Sequence, residues 1–367
     1  MEVLRNLRPL RTLVLAALAL TVVAAPAEAQ RRRGEALPAP GPQWPVKTRE
    51  HVDLWFHVFA LMQDDTAKVP FFERGYRERI TIVKNSRSIY TKFDEQRAAI
   101  TADPAAARHL LDGQFLALSF GTWPEMKQAF EYFLRAEGNP RNANNREVQA
   151  IVAFLAQRFP RPDDRAWARK LVDAVQAEYD GFYKAYWLEQ FRAREPALAR
   201  ADSLWQNTWR PNLQRFLNYT QQNSGDLILA ITLGGEGRAV PAGDRSSQYA
   251  VAFPSTADSA EVLLFAFVHE AAGSIARVAV SDHLTPAQQR SGMGAQLESN
   301  GLVRGGALLA EQVEAGAGER YARWYLAQAG KTAPEGGALA ALAEAFPMPD
   351  VMIEEMKRQI ALSFQGI

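Results

Sequence analysis

A chain of 367 residues with a formal net charge of +1 has no overall basic field, which argues against nucleic acid as a partner. It contains no cysteine, so disulfides, thiolate catalysis and cysteine-ligated zinc are excluded together. An apolar share of 47% with 23% charged residues suits a folded chain with a sizeable core, in one large domain or two ordinary ones.

At the N-terminus, Arg5, Arg8 and Arg11 flank or precede the run TLVLAALALTVVAAPA, which is short for a membrane span. AEA before Gln30 has the small residues of a cleavage site. Residues 1–29 therefore read as a signal peptide, and the protein as exported to a periplasmic or extracellular space. The alternative is an uncleaved anchor, consistent with the RRR at 31–33, which would be the only membrane contact expected. Residues 30–48, basic and then proline-rich, read as a flexible linker. No later segment approaches transmembrane length without charges.

From Arg49 to residue 225 apolar residues recur three and four apart, as in HVDLWFHVFALM and REVQAIVAFLAQRF, which predicts a run of amphipathic helices. DRAWARKLVDAVQAEYDGFYKAYWLEQFRARE predicts one long helix or a kinked pair. Pro211 is expected to end or bend the next helix. Aromatic-rich FYKAYWLEQF and YARWYL, at helical spacing, read as packing surface.

The character changes at residue 226. DLILAITL and QYAVAFP have strand composition, and GGEGRAVPAGDRSS between them reads as turn material, so a hairpin is expected. Residues 258–282 then return to helix, with Asp258 and Glu261 spaced as a capping box. Further helices are expected near 303–315, 318–329, 335–345 and 350–363. The fold class is mainly α, multi-helical, with one small β-hairpin or sheet ahead of a buried helix.

That helix carries FVHEAAGSIA. It is apolar nearly all round, so His269 and Glu270 sit mid-helix in apolar surroundings. An ionised glutamate there needs a partner, because desolvating it costs several kcal/mol, roughly. Arg304, Arg238 or backbone donors could supply one, which makes the pair structural. A cleft where Glu270 meets water or a metal-bound ligand makes it catalytic.

The order of parts resembles the zincin metallopeptidases, in their gluzincin branch. In that family a strand edge holds the peptide substrate, a helix carries HExxH, and a later helix supplies a glutamate as third zinc ligand. This chain has DLILAITL and QYAVAFP, then HEAAG, then GGALLAEQVEAG, over roughly residues 226–316. The resemblance implies a zincin-like region at 226–367, with His269 and Glu311 as zinc ligands and Glu270 as the base that activates water. It places Glu236 and Arg238 of the GGEGR loop, and Arg304, as substrate contacts. The departure is Gly273, which stands where the second histidine belongs and offers no ligand. Its structural role would be to admit another backbone closely.

Asp53 and His57 lie one helical turn apart, a spacing that suits either an oriented imidazole or an ordinary hydrogen bond. Two functions follow. One is a degenerate zinc peptidase relative with a lost or altered metal site, a metal-dependent hydrolase if active. The other is a non-enzymatic envelope protein that binds a peptide or protein partner. Zinc is the cofactor of the first reading, and the second needs none.

Overall fold

The β-branched run after residue 225 forms the centre of a four-stranded sheet, seen in a computed structural model that describes residues 44–63, 69–243 and 245–365. The expected signal peptide at 1–29 and residues 30–43 of the expected linker lie outside the described residues. The strands are β1 (Val46–Thr48), β2 (Ser224–Ala230), β3 (Arg238–Gly243) and β4 (Ser246–Ala252), in spatial order β1-β2-β4-β3. β1 and β4 both run parallel to β2, while β3 runs antiparallel to β4 on the edge. Leu227 to Ala230 are buried in succession, as the continuous apolar run of a central parallel strand requires.

DLILAITL and QYAVAFP therefore do not make the expected hairpin. They pair in parallel, with Leu227 opposite Tyr249. A parallel pair needs a crossover, and the chain supplies it from the segment read as turn, which holds β3. The hairpin that does form is β3–β4, turning through Arg245 at φ 59. The end of the expected linker is also fixed. Trp44 is buried, its ring 5.7 Å from that of Tyr249 and 5.9 Å from that of Phe267. Lys47 and Arg49 both pair with Asp226 at 2.6 Å, which fastens β1 beside β2.

The first helices are α1 (Glu50–Met62), α2 (Tyr76–Ser86), α3 (Lys92–Ala106), a 3-10 helix (Arg108–Ser119), α4 (Trp123–Arg135) and α5 (Arg146–Ala156). From Pro162 to Tyr219 the backbone stays helical through α6 (Pro162–Glu178), a π turn (Tyr179–Tyr183), α7 (Lys184–Leu204), a second π turn (Trp205–Trp209) and α8 (Arg210–Tyr219). Pro211 does not end this run. It sits in the first turn of α8, directly after the second π turn, whose wider winding accommodates the missing donor.

After β4 come α9 (Val262–Ala271), α10 (Gly273–His283), α11 (Pro286–Arg290), α12 (Met293–Val313), α13 (Ala317–Gln328), α14 (Ala338–Ala345) and α15 (Asp350–Gln365). The expected helix over 258–282 is broken at Ala272, and the helix expected from 303 begins ten residues earlier, at Met293. The capping box forms at Thr256 and Ser259 instead of Asp258 and Glu261. Glu261 is engaged elsewhere, 2.8 Å from Arg320. Residues 257–283 are long and apolar enough to cross a bilayer, but 72% of their apolar window is buried within the fold, as a core helix requires.

The sheet divides two apolar cores. Ile228, Ala230 and Ala250 face the core of α1 to α6. Leu227, Leu229, Tyr249 and Val251 face the one built with α8, α9, α12 and α13. This is the period of two that a strand imposes. The expected mainly helical fold with a small sheet is what forms.

Candidate functional site

α9 leaves β4 and packs back against β4 and β3. Its apolar faces bury Leu263 to Val268, and this carries His269 into the interior at 3% exposure. His269 Nδ1 lies 2.9 Å from the Tyr321 hydroxyl, and its ring stacks on Tyr325 at 5.2 Å and 19°. Burial pushes the imidazole down to about 4, so it is neutral near pH 7.

Glu270, the next residue, turns toward the sheet. Its Oε2 accepts the backbone N–H of Ala239 on β3 at 3.0 Å. Burial pushes its carboxyl up to about 7, against the pull of that hydrogen bond and of Arg238, while the charge of Glu236 adds to the rise. Gly237 makes the approach feasible. A Cβ there would lie 2.9 Å from the Ala250 carbonyl oxygen and 3.4 Å from Glu270 Cγ. Glu236 accepts the Tyr325 hydroxyl at 2.8 Å, and burial raises its carboxyl too. His269, Glu270 and Glu236 thus gather where α9 meets β3, with Tyr325 between His269 and Glu236, while the Arg238 guanidinium lies over Phe115.

Glu311 does not join them. Its carboxylate accepts the N–H groups of Gly316 and Gly318, each at 3.0 Å, at the start of α13. A helix N-terminus holds unpaired donors and a positive dipole end, so the carboxylate is better placed there than beside a buried imidazole. Among the described residues no group of three or more His, Asp or Glu side chains could hold a metal ion. Arg304 is half-buried on α12 and makes no ion pair with Glu270, whose partner is the Ala239 amide. Burial lowers the Arg304 guanidinium.

Gly273 serves packing, but against a side chain and not the backbone expected. A Cβ there would lie 3.0 Å from Leu302 Cδ2, and Gly301 and Gly305 come equally close to Ala276 and Ala272, at 3.1 Å each. α10 and α12 cross on small residues. Asp53 and His57 do not pair with each other either. Asp53 accepts the Ile231 N–H at 2.7 Å and the Trp187 indole N–H at 3.1 Å, and burial pushes its carboxyl up to about 7. His57 lies 2.8 Å from the Tyr76 hydroxyl and 3.0 Å from Glu178 Oε1.

No family model, curated protein or solved structure matches this chain.

A groove of about 530 Å³ runs beside β3, between that strand on one side and the 3-10 helix with the end of α5 on the other. Phe115, Phe154 and Val240 give it apolar walls, and Asp112, Arg158 and Arg238 charge it. The Arg238 guanidinium lies 4.7 Å over Phe115 and that of Arg158 lies 5.8 Å over Phe154. Glu270 does not line this groove and meets β3 at the Ala239 amide.

Sequence reasoning reads Tyr321 and Tyr325 as packing surface and misses that they also hold His269 and Glu236. A buried ionic network is missed as well. Lys84 Nζ contacts both Glu178 oxygens at 2.9 Å and Asp94 Oδ2 at 2.5 Å. The Thr91 hydroxyl donates to Glu178 as well. Although burial works against its ionisation, His57 and Lys84 hold the Glu178 carboxyl at about 2. A signal existed: Glu178 continues the apolar stripe of Leu171 and Val175 at helical spacing.

Proposed function

We propose that this is an exported, non-hydrolytic binding protein on a peptidase-like scaffold, which takes a peptide or a segment of a partner protein in the groove beside β3. The observation that carries the reading is the division of the side chains that the zincin resemblance assigns to one site. His269 is shut in the core against Tyr321 and Tyr325, Glu270 holds the Ala239 amide, and Glu311 caps α13. Each has a structural partner, and hydrolysis would need His269 and Glu311 on one ion with Glu270 beside it, facing substrate.

The scaffold itself favours a relation in architecture. An antiparallel edge strand lies over the helix that carries the HE pair, which is the order of parts the resemblance calls for. The groove is open along that edge, and its mixture of aromatic walls with a few charged groups suits a peptide better than a small apolar ligand. Export rests on the leader-like sequence at 1–29 alone.

Titrating the purified chain with a panel of short peptides, followed by calorimetry, tests this. Binding that is lost in Val240→Arg, which fills the groove, supports the reading. Stoichiometric zinc with peptide hydrolysis, both lost in His269→Ala, replaces it with the peptidase.

A further inference from the structure

The outer edge of β3 decides how a peptide can be held. In the antiparallel register with β4, Ala239 lies opposite Tyr249 and Pro241 opposite Ser247, so the two share one side of the strand. Proline has no N–H and tolerates only the side facing away from the ladder. The Ala239 N–H is taken by Glu270. That edge therefore presents carbonyls without a free amide donor at these two positions. Strand addition needs alternating donors and acceptors, so this edge is blocked to it, a common protection against unwanted pairing.

Recognition then falls to side chains. Arg158 and Arg238 both line the groove, each laid over an aromatic ring. Stacking occupies the flat face of a guanidinium and leaves its N–H rim free to fork a carboxylate. Among the described residues neither arginine has an acidic side chain within ion-pair distance. The acidic groups nearby are Asp112 in the groove wall and Glu270 beneath β3. At the rim, Asp164 is already held by His109 and Arg161, both at 3.1 Å. The groove wall itself carries these two arginines against one carboxylate, Asp112, although the chain as a whole is close to neutral.

We infer that the groove binds an acidic peptide segment, its carboxylates forked by Arg158 and Arg238 and its aliphatic parts against Phe115 and Phe154, without adding a strand to the sheet. This inference rests on the groove-binding reading above and narrows it to one class of ligand.

The test is fluorescence anisotropy on the full chain with three labelled peptides of one sequence: two glutamates, two glutamines, or two lysines at the same positions. The glutamate peptide should bind about tenfold more tightly than the glutamine one, the scale of a charge-assisted hydrogen bond. Arg158→Gln and Arg238→Gln should each erase most of that margin, and added salt should weaken it. Equal binding of the glutamate and glutamine peptides, lost in Val240→Arg, would overturn the acidic preference and leave the groove reading standing. Failure of all three peptides to bind would overturn both. An oligonucleotide that binds more tightly than the glutamate peptide would also overturn the inference, since the forks would then serve phosphates.

Discussion

The Ala239 amide donates to Glu270 across 3.0 Å, so a single half-buried carboxylate fastens the edge strand to the HE helix. The carboxyl stands at about 7 against an ordinary 4.5, and burial is the main cause. A raised value means that the folded state holds the proton more tightly than the unfolded chain. The stability tied to it is whole below pH 4.5, falls as pH rises toward 7, and is lost beyond. The loss amounts to at most about 3 kcal/mol.

Glu270→Gln keeps an acceptor for Ala239 and removes the ionisation. In urea unfolding the variant should match the parent near pH 4.5 and exceed it by about 1–3 kcal/mol near pH 8. A change of equal size at both pH values would mean that Glu270 acts by shape alone.

Glu311→Ala removes the acceptor for Gly316 and Gly318 and should cost about 1 kcal/mol, as helix N-terminal caps do. Zinc measured in the purified protein should be the same in the parent, in Glu311→Ala and in His269→Ala. Stoichiometric zinc that falls in either variant would return these residues to a metal site.

How much of this was legible follows from which forces are local. The helices of the first half show in the three-and-four spacing of apolar residues, because each helix buries one face. β2 and β4 show in their strand-like composition, the apolar run DLILAITL and the segment QYAVAFP. Their parallel pairing does not, since the short strand between them, Arg238–Gly243, carries Pro241 and a turn-like composition and is a strand only through β4. His269 as a buried residue was readable from its apolar neighbours. Its partner Tyr321 is 52 positions away, a distance at which only folding decides contact. Glu311 lies on the expected helix, but the pull of the next helix's free amides is invisible without the turn at 314–316.

The crossing of α10 and α12 gives a prediction with an internal control. At Gly273 the near atom is Leu302 Cδ2, the end of a flexible side chain, whereas at Gly301 it is Ala276 Cβ, which moves only with its helix. Leucine at either position should destabilise by about 1–3 kcal/mol through overpacking. Adding Leu302→Ala should recover most of the loss for Gly273→Leu and none for Gly301→Leu, read from the midpoints of thermal unfolding. Equal recovery at both would mean that the two helices are not held at this spacing.

The Lys84–Glu178 pair offers the largest effect. Both side chains are almost wholly shielded, and His57, Thr91 and Asp94 complete the contacts that join α1, α2, α3 and α6. Glu178 is held at about 2, well below its ordinary 4.5, so the stability it contributes is present above pH 4.5 and is lost as pH falls toward 2. Lys84→Met leaves that carboxylate buried with its main cation gone, which should cost about 3–5 kcal/mol at neutral pH. Changing Glu178 to Leu in the same chain removes the stranded charge and should restore a good part of the loss, because the pair's attraction is largely offset by its desolvation. Urea midpoints of the parent, the single variant and the double variant give the answer directly. A double variant no more stable than Lys84→Met would mean that the network holds these helices through its hydrogen bonds to Thr91 and His57, not through the charge of Lys84.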